Sequence, residues 1–131
     1  LPGSGGANDI ASLATRIMIV TRHEKRRFVE KVDFLTSPGN VDEKGRQHHG
    51  LIFGKPLTVI TGLGVMDYDP MLMKVRLKAL HPGVTVQQVL DNVGFKPLIP
   101  DRIEETKPPT EEELKTLRQI DVEGKWVKHP T

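Results

Sequence analysis

The residue types best suited to chemistry stand at the start of the chain, in Gly3-Ser4-Gly5-Gly6-Ala7-Asn8-Asp9. Glycine has no Cβ, so a bound group can come close to its backbone amide. Successive N–H groups at the start of a helix favour an anion or a developing oxyanion. The stretch lacks the Gly-Lys-Ser/Thr ending of a phosphate loop and does not match the dinucleotide fingerprint. On these residues alone, a tight connector and a turn that holds a reacting carbonyl are both open readings.

Other candidates carry less. Thr21-Arg22-His23-Glu24-Lys25-Arg26-Arg27-Phe28 gathers cations that phosphates would attract, yet interleaved aromatics and a nucleic-acid-binding motif are missing. A solvated or subunit-contacting face is the preferred reading there. His48-His49 lack a third ligand at metal-site spacing and read as a surface pair. His81, before Pro82-Gly83, is expected to pack in a turn. Asp67 and Asp69 flank Tyr68; paired carboxylates can share acid–base work, but next to Pro70 they are expected to support a turn. Trp126 and His129 belong to a terminal tail with no assigned role.

The elements around these residues follow from pattern. Asn8 or Asp9 is expected to cap a short helix over Ile10–Ala14. Arg16–Thr21 carries four apolar residues in a row, which predicts a strand buried on both faces, as in a parallel sheet. Lys31–Thr36 predicts another strand, and residues 39–56 a long functional or disordered loop. Leu57–Thr61 and Leu63–Asp69 read as strand with a bend at Gly62 or Gly64. Met71–Leu80 alternates, with Met73, Val75, Leu77 and Ala79 on one face and Lys74, Arg76 and Lys78 on the other. Thr85 with Gln88, and Thr110 with Glu113, are capping boxes for two helices; Gly94 suits a left-handed residue after the first of them.

Composition narrows the class. The chain has 131 residues, 37% hydrophobic and 27% charged, enough for one domain with a modest core. The absence of cysteine excludes disulfides and thiolate metal sites. A net charge of +2 implies no polyanionic partner. Its basic block over 16–31 and acidic block over 101–123 read as solvated faces. No apolar run approaches the roughly 18–20 residues of a membrane span, and no basic-then-apolar leader opens the chain. A cytoplasmic location is expected. Residue 1 is Leu, so the numbering is expected to start inside a longer polypeptide.

Taken together, "GSGGANDIAS", "HEKRRFVEKVDFLTSPG", "LTVITGLGVMDYD" and "LHPGVTVQQVLDNVGF" resemble the second half of the beta subunit of family I coenzyme A transferases, the glutaconate CoA-transferase type. The likeness runs from Gly3 to about Gln119. It implies an α/β fold in which residues 1–120 form the C-terminal half of an open-sheet domain, with a β-hairpin and C-terminal helices, and 121–131 a loose tail. It also implies transfer of CoA from an acyl-CoA to a carboxylic acid through a glutamyl-CoA intermediate. The nucleophilic glutamate of the family would lie upstream of Leu1. None of Glu24, Glu30, Glu43 or the Glu104–Glu113 cluster matches it, so no catalytic residue is assigned and the chain alone is expected to be inactive. Gly5, Gly6 and Ala7, with Asn8 beside them, would line the site around the thioester. The implied partners are an alpha subunit and the N-terminal half of the beta subunit, with no nucleic acid, membrane, metal or organic cofactor; CoA is a substrate. An acyl-CoA hydrolase or ring-opening subunit on the same scaffold, or a non-catalytic binding module, are the alternatives.

Overall fold

A computed structural model describes residues 3–39, 45–51, 57–69, 71–72 and 74–125. A five-stranded mixed sheet organises them. Its strands are β1 (Ile17–Val20), β2 (Leu57–Ile60), β3 (Gly64–Asp69), β4 (Lys74–Leu80) and β5 (Glu104–Glu105), and they lie side by side in chain order. β1 and β2 are parallel, with Ile17 opposite Leu57; β2, β3 and β4 form antiparallel pairs; β5 runs parallel to β4. Among the described residues four helices accompany the sheet: α1 (Gly5–Leu13), α2 (Gly45–His48), α3 (Val86–Asp91) and α4 (Glu111–Ile120).

The core sits where β2, β3 and β4 meet α3. Met66, Leu77 and Val89 are fully buried and join Val59, with Phe28, Val75, Leu80 and Ile103 packed around them. The alternation expected along β4 is observed: Leu77 and Ala79 are buried, Lys74 and Lys78 are exposed. Met73 lies outside the described residues. Both capping boxes form: Thr85 accepts the Gln88 N–H, Thr110 accepts the Glu113 N–H, and each partner side chain returns to the cap N–H. The Glu113 carboxyl is held below the usual carboxylate range, first by the Thr110 backbone N–H.

Several expectations are corrected. Gly5 and Gly6 do not precede a helix but open it; α1 begins five residues earlier than expected, and its cap position is Ser4, not Asn8 or Asp9. A run of Ala7, Ala11 and Leu13 on one segment favours helix enough to carry the glycines into the first turn. Residues 57–69 are two strands, because the chain reverses over Thr61–Gly64 instead of bending. Lys31–Thr36 is not a strand: among the described residues it has no ladder partner, and Phe34 stands 72% exposed. Gly94 does not adopt a left-handed φ, and α3 already ends at Asp91, with Asn92 as its cap position. Glycine is needed there for close approach, since its N–H donates to the Phe28 carbonyl at 2.6 Å and a Cβ would stand 2.8 Å from the same oxygen.

The largest departure concerns β1. Its apolar run predicts cover on both faces, yet Met18 and Val20 are 58% and 75% exposed. β1 is the edge of the sheet, and α1 buries no residue against it.

Candidate active-site turn

The structure gathers Gly5, Gly6, Ala7 and Asn8 in one turn of α1. The Asn8 N–H is bonded to the Ser4 carbonyl at 3.0 Å, the first bond of the helix. The N–H groups of Gly5, Gly6 and Ala7 precede it and have no helical acceptor, as at any α-helix start. The Ser4 side chain makes no capping bond to them. The turn therefore presents three adjacent donors at the positive end of a helix.

Nothing in the described fold demands glycine at these positions. A Cβ on Gly5 or Gly6 would meet nothing within 4 Å, and neither residue has a left-handed φ. Gly64 and Gly94 are the contrast, because a Cβ on Gly64 would run into the Ala79 carbonyl and one on Gly94 into that of Phe28. Asn8 has a different task from its neighbours. Its Nδ2 donates to the Thr36 carbonyl at 3.2 Å, so its amide ties the turn to the segment behind it. Asp9 lies within the helix and is exposed.

A second polar cluster, which the sequence pattern does not single out, forms at the β2–β3 turn. The Thr61 hydroxyl oxygen accepts the N–H groups of Leu63 and Gly64, each at 3.2 Å. His23 bridges this turn to α3, with Nδ1 3.0 Å from the Thr61 hydroxyl and Nε2 3.2 Å from the Val89 carbonyl. A carbonyl can only accept, so Nε2 carries a proton; the one Thr61 hydroxyl hydrogen lies within reach of both His23 Nδ1 and the Gly64 carbonyl, the latter at 3.1 Å. Burial lowers the His23 pKa, and the bond to Val89 offsets part of that shift. The ring stacks on Phe28 at 4.9 Å. On the other side His81 Nε2 donates to the Thr61 carbonyl at 2.9 Å, and its Nδ1 lies 2.7 Å from the Thr106 hydroxyl. His81 thus packs in a turn, as expected from Pro82-Gly83.

An open cleft of about 570 Å³ lies beyond the C-terminal ends of β1 and β2, lined by Val20, Arg22, His23, Gly62, Leu63 and Asn92 among others. In open α/β sheets that end of the strands is where ligands gather. The glycine turn does not line it.

The remaining candidates have structural partners. Glu24 gathers Arg26 at 2.8 Å and Arg27 at 3.2 Å, and those bonds hold its carboxyl below the usual range. Asp67 takes Arg76 in a fork at 2.8 and 2.9 Å. Asp69 accepts the N–H groups of Leu72 and Met71, which lower its pKa, and pairs with Arg76 at 3.3 Å. His48 and His49 meet edge to face at 5.2 Å on the surface. No group of three His, Asp or Glu side chains among the described residues is placed to hold a metal ion. Likewise, no helix among them is long and apolar enough to cross a membrane. Glu43, Trp126 and His129 lie outside the described residues.

Residues 1–92 match the family model for coenzyme A transferase. The chain is 38% identical to the beta subunit of 3-oxoadipate CoA-transferase from Pseudomonas knackmussii, over 92% of this chain and 47% of that subunit. It is 37% identical to the beta subunit of glutaconate CoA-transferase from Acidaminococcus fermentans, over 98% and 49%. The crystal structure of that glutaconate enzyme superimposes with a TM-score of 0.84, at 35% identity, over 99% of this chain and 50% of the other. The IpdB subunit of a cholesterol ring-cleaving hydrolase from Mycobacterium tuberculosis is 35% identical over 77% and 40%. The chain thus spans about half the length of the curated relatives it matches.

Proposed function

The chain belongs to the coenzyme A transferase family, on the beta-subunit side, and from that membership we propose that it is the part of a beta subunit that presents the glycine turn to an acyl-CoA thioester. The observation that supports this reading is the first turn of α1: three N–H groups with no helical acceptor and no cap from the Ser4 side chain, and glycines that the described fold does not require.

The proposed reaction moves CoA to a carboxylic acid. A glutamate of the parent polypeptide, outside this chain, attacks the thioester carbonyl; the C–S bond breaks, giving an acyl-glutamyl anhydride and CoA thiolate. The thiolate then attacks the glutamyl carbonyl, which releases the first carboxylate and leaves a glutamyl-CoA thioester. The acceptor carboxylate runs both steps in reverse. Each step passes through a tetrahedral oxyanion. A backbone N–H aimed at such an oxygen contributes on the order of 3 kcal/mol. Gly5, Gly6 and Ala7 supply donors of that kind, while splitting one exchange into easier displacements supplies the rest. The chemistry calls for no metal or organic cofactor.

The partner we propose for β1 is the N-terminal half of the beta subunit, which would cover the exposed apolar face and continue the sheet past its edge. An alpha subunit would close the site from outside. Such cover also excludes water, on which transfer depends, because water reaching glutamyl-CoA would turn the enzyme into a hydrolase. The likeness to a ring-cleaving hydrolase subunit supports that as the second reading.

Gly6→Ala in the complete enzyme separates function from fold. Alanine in a helix is favoured over glycine by up to about 1 kcal/mol, so thermal stability is expected to hold or rise. The added methyl stands beside the donors, and displacement of the thioester by an ångström costs roughly a hundredfold in turnover. Unchanged CoA-transfer turnover in Gly6→Ala would contradict the reading.

A further inference from the structure

α1 carries the glycine turn but buries no side chain, so packing within the described chain does not fix its direction. Hydrogen bonds do. At its C-terminal end the helix has no basic residue of its own, and the Ala14 N–H reaches back only to the Ile10 carbonyl. The carbonyls of Ala11 and Ser12 therefore need outside donors. Arg46, from α2, supplies them: Nη2 donates to Ala11 O at 2.6 Å and to Ser12 O at 3.4 Å. Its Nη1 donates to Pro38 O at 2.9 Å and Gly39 O at 2.8 Å. Arg46 is 3% exposed.

One planar guanidinium thus joins the last turn of α1 to the Pro38-Gly39 turn. At the other end Asn8 bonds the Thr36 carbonyl of the same segment. Two anchors fix a direction, and the direction of a helix is the direction of its N–H groups. We propose that Arg46 is a positioning residue for the glycine turn: it caps α1 from another part of the chain and so aims the Gly5–Ala7 donors at the reacting carbonyl. The proposal rests on the CoA-transfer reading of that turn. A positive charge at the C-terminal end of α1 also suits the helix dipole. Lysine cannot replace the fork, because its ammonium is a single point that cannot hold two pairs of carbonyls in one plane.

The test uses the complete enzyme with Arg46→Lys and Arg46→Ala. Two readouts are taken: steady-state CoA transfer, and amide hydrogen exchange over α1, β3 and β4. Arg46→Lys is expected to lower kcat about tenfold or more with KM within about twofold, as for an interaction that acts in the transition state. Exchange should rise over residues 5–13 and stay unchanged over β3 and β4. An unchanged kcat, or unchanged exchange in α1, would overturn the proposal; so would a uniform loss of protection across α1, β3 and β4. If Arg46→Ala fails to fold, Arg46→Lys still decides. Should the wild-type enzyme transfer no CoA, the functional reading fails by itself, and the exchange data still report whether Arg46 holds α1.

Discussion

Side chains with fixed partners show how much single residues decide. His23 joins the β2–β3 turn to α3, and its bond to the Val89 carbonyl places a proton on Nε2. Protonation would make Nδ1 a third donor on a Thr61 oxygen that already accepts two N–H groups. Burial lowers its folded pKa below the unfolded value of about 6.5. As pH falls, the unfolded chain takes up the proton first, so stability is full above about 6.5 and is lost as pH drops toward the folded pKa. The depressed carboxyls of Glu24, Asp69 and Glu113 act only near and below about 4.3, outside that window. Thermal unfolding at two pH values on either side of 6.5 should show the loss in wild type and a smaller one in His23→Gln; equal slopes would remove His23 from this role. The sequence shows His81 as a turn residue through its Pro-Gly neighbours. It hides His23 and Arg46, because a lone histidine or arginine in a charged or polar stretch has no periodicity, and its acceptors are distant in the chain.

Elements are readable where the information is local. Two capping boxes mark α3 and α4, and the alternation along β4 reports one buried face. Pattern fails where a partner strand or a cover decides the outcome. Lys31–Thr36 has strand composition but no ladder partner among the described residues, and the run in β1 is apolar beyond what its described neighbours bury. The reversal over Thr61–Gly64 escapes notice for a related reason: Gly62 and Gly64 signal a bend, but it is the ladder between β2 and β3 that turns the bend into a hairpin. Gly64 is the position where that hairpin needs glycine. It lies against the Ala79 carbonyl on β4, and an added Cβ must push the strands apart. Gly64→Ala is expected to cost about 1–3 kcal/mol, the range for overpacking a close contact. The midpoint of urea unfolding measures it, and an unchanged midpoint would mean that the strands separate without cost.

At the scale of the molecule, the buried core lies among β2, β3, β4 and α3, while β1, paired along β2, and α1 leave apolar surface exposed. That division is partly visible in the sequence, since its order of elements gives only part of an open sheet. The proposed site is visible only as a turn, because the nucleophile and acyl pocket of the proposed reaction would lie outside this chain. The proposed reaction leaves a covalent mark that can be looked for directly. The complete gene product, purified with its partner subunit, would be incubated with a panel of acyl-CoA thioesters without acceptor, and the intact mass of each polypeptide measured. The transfer mechanism predicts that the polypeptide carrying this sequence gains the mass of CoA less one water, lost again when an acceptor carboxylate is added. Steady release of free CoA with no adduct would contradict it and favour hydrolysis; no reaction with any thioester would contradict both.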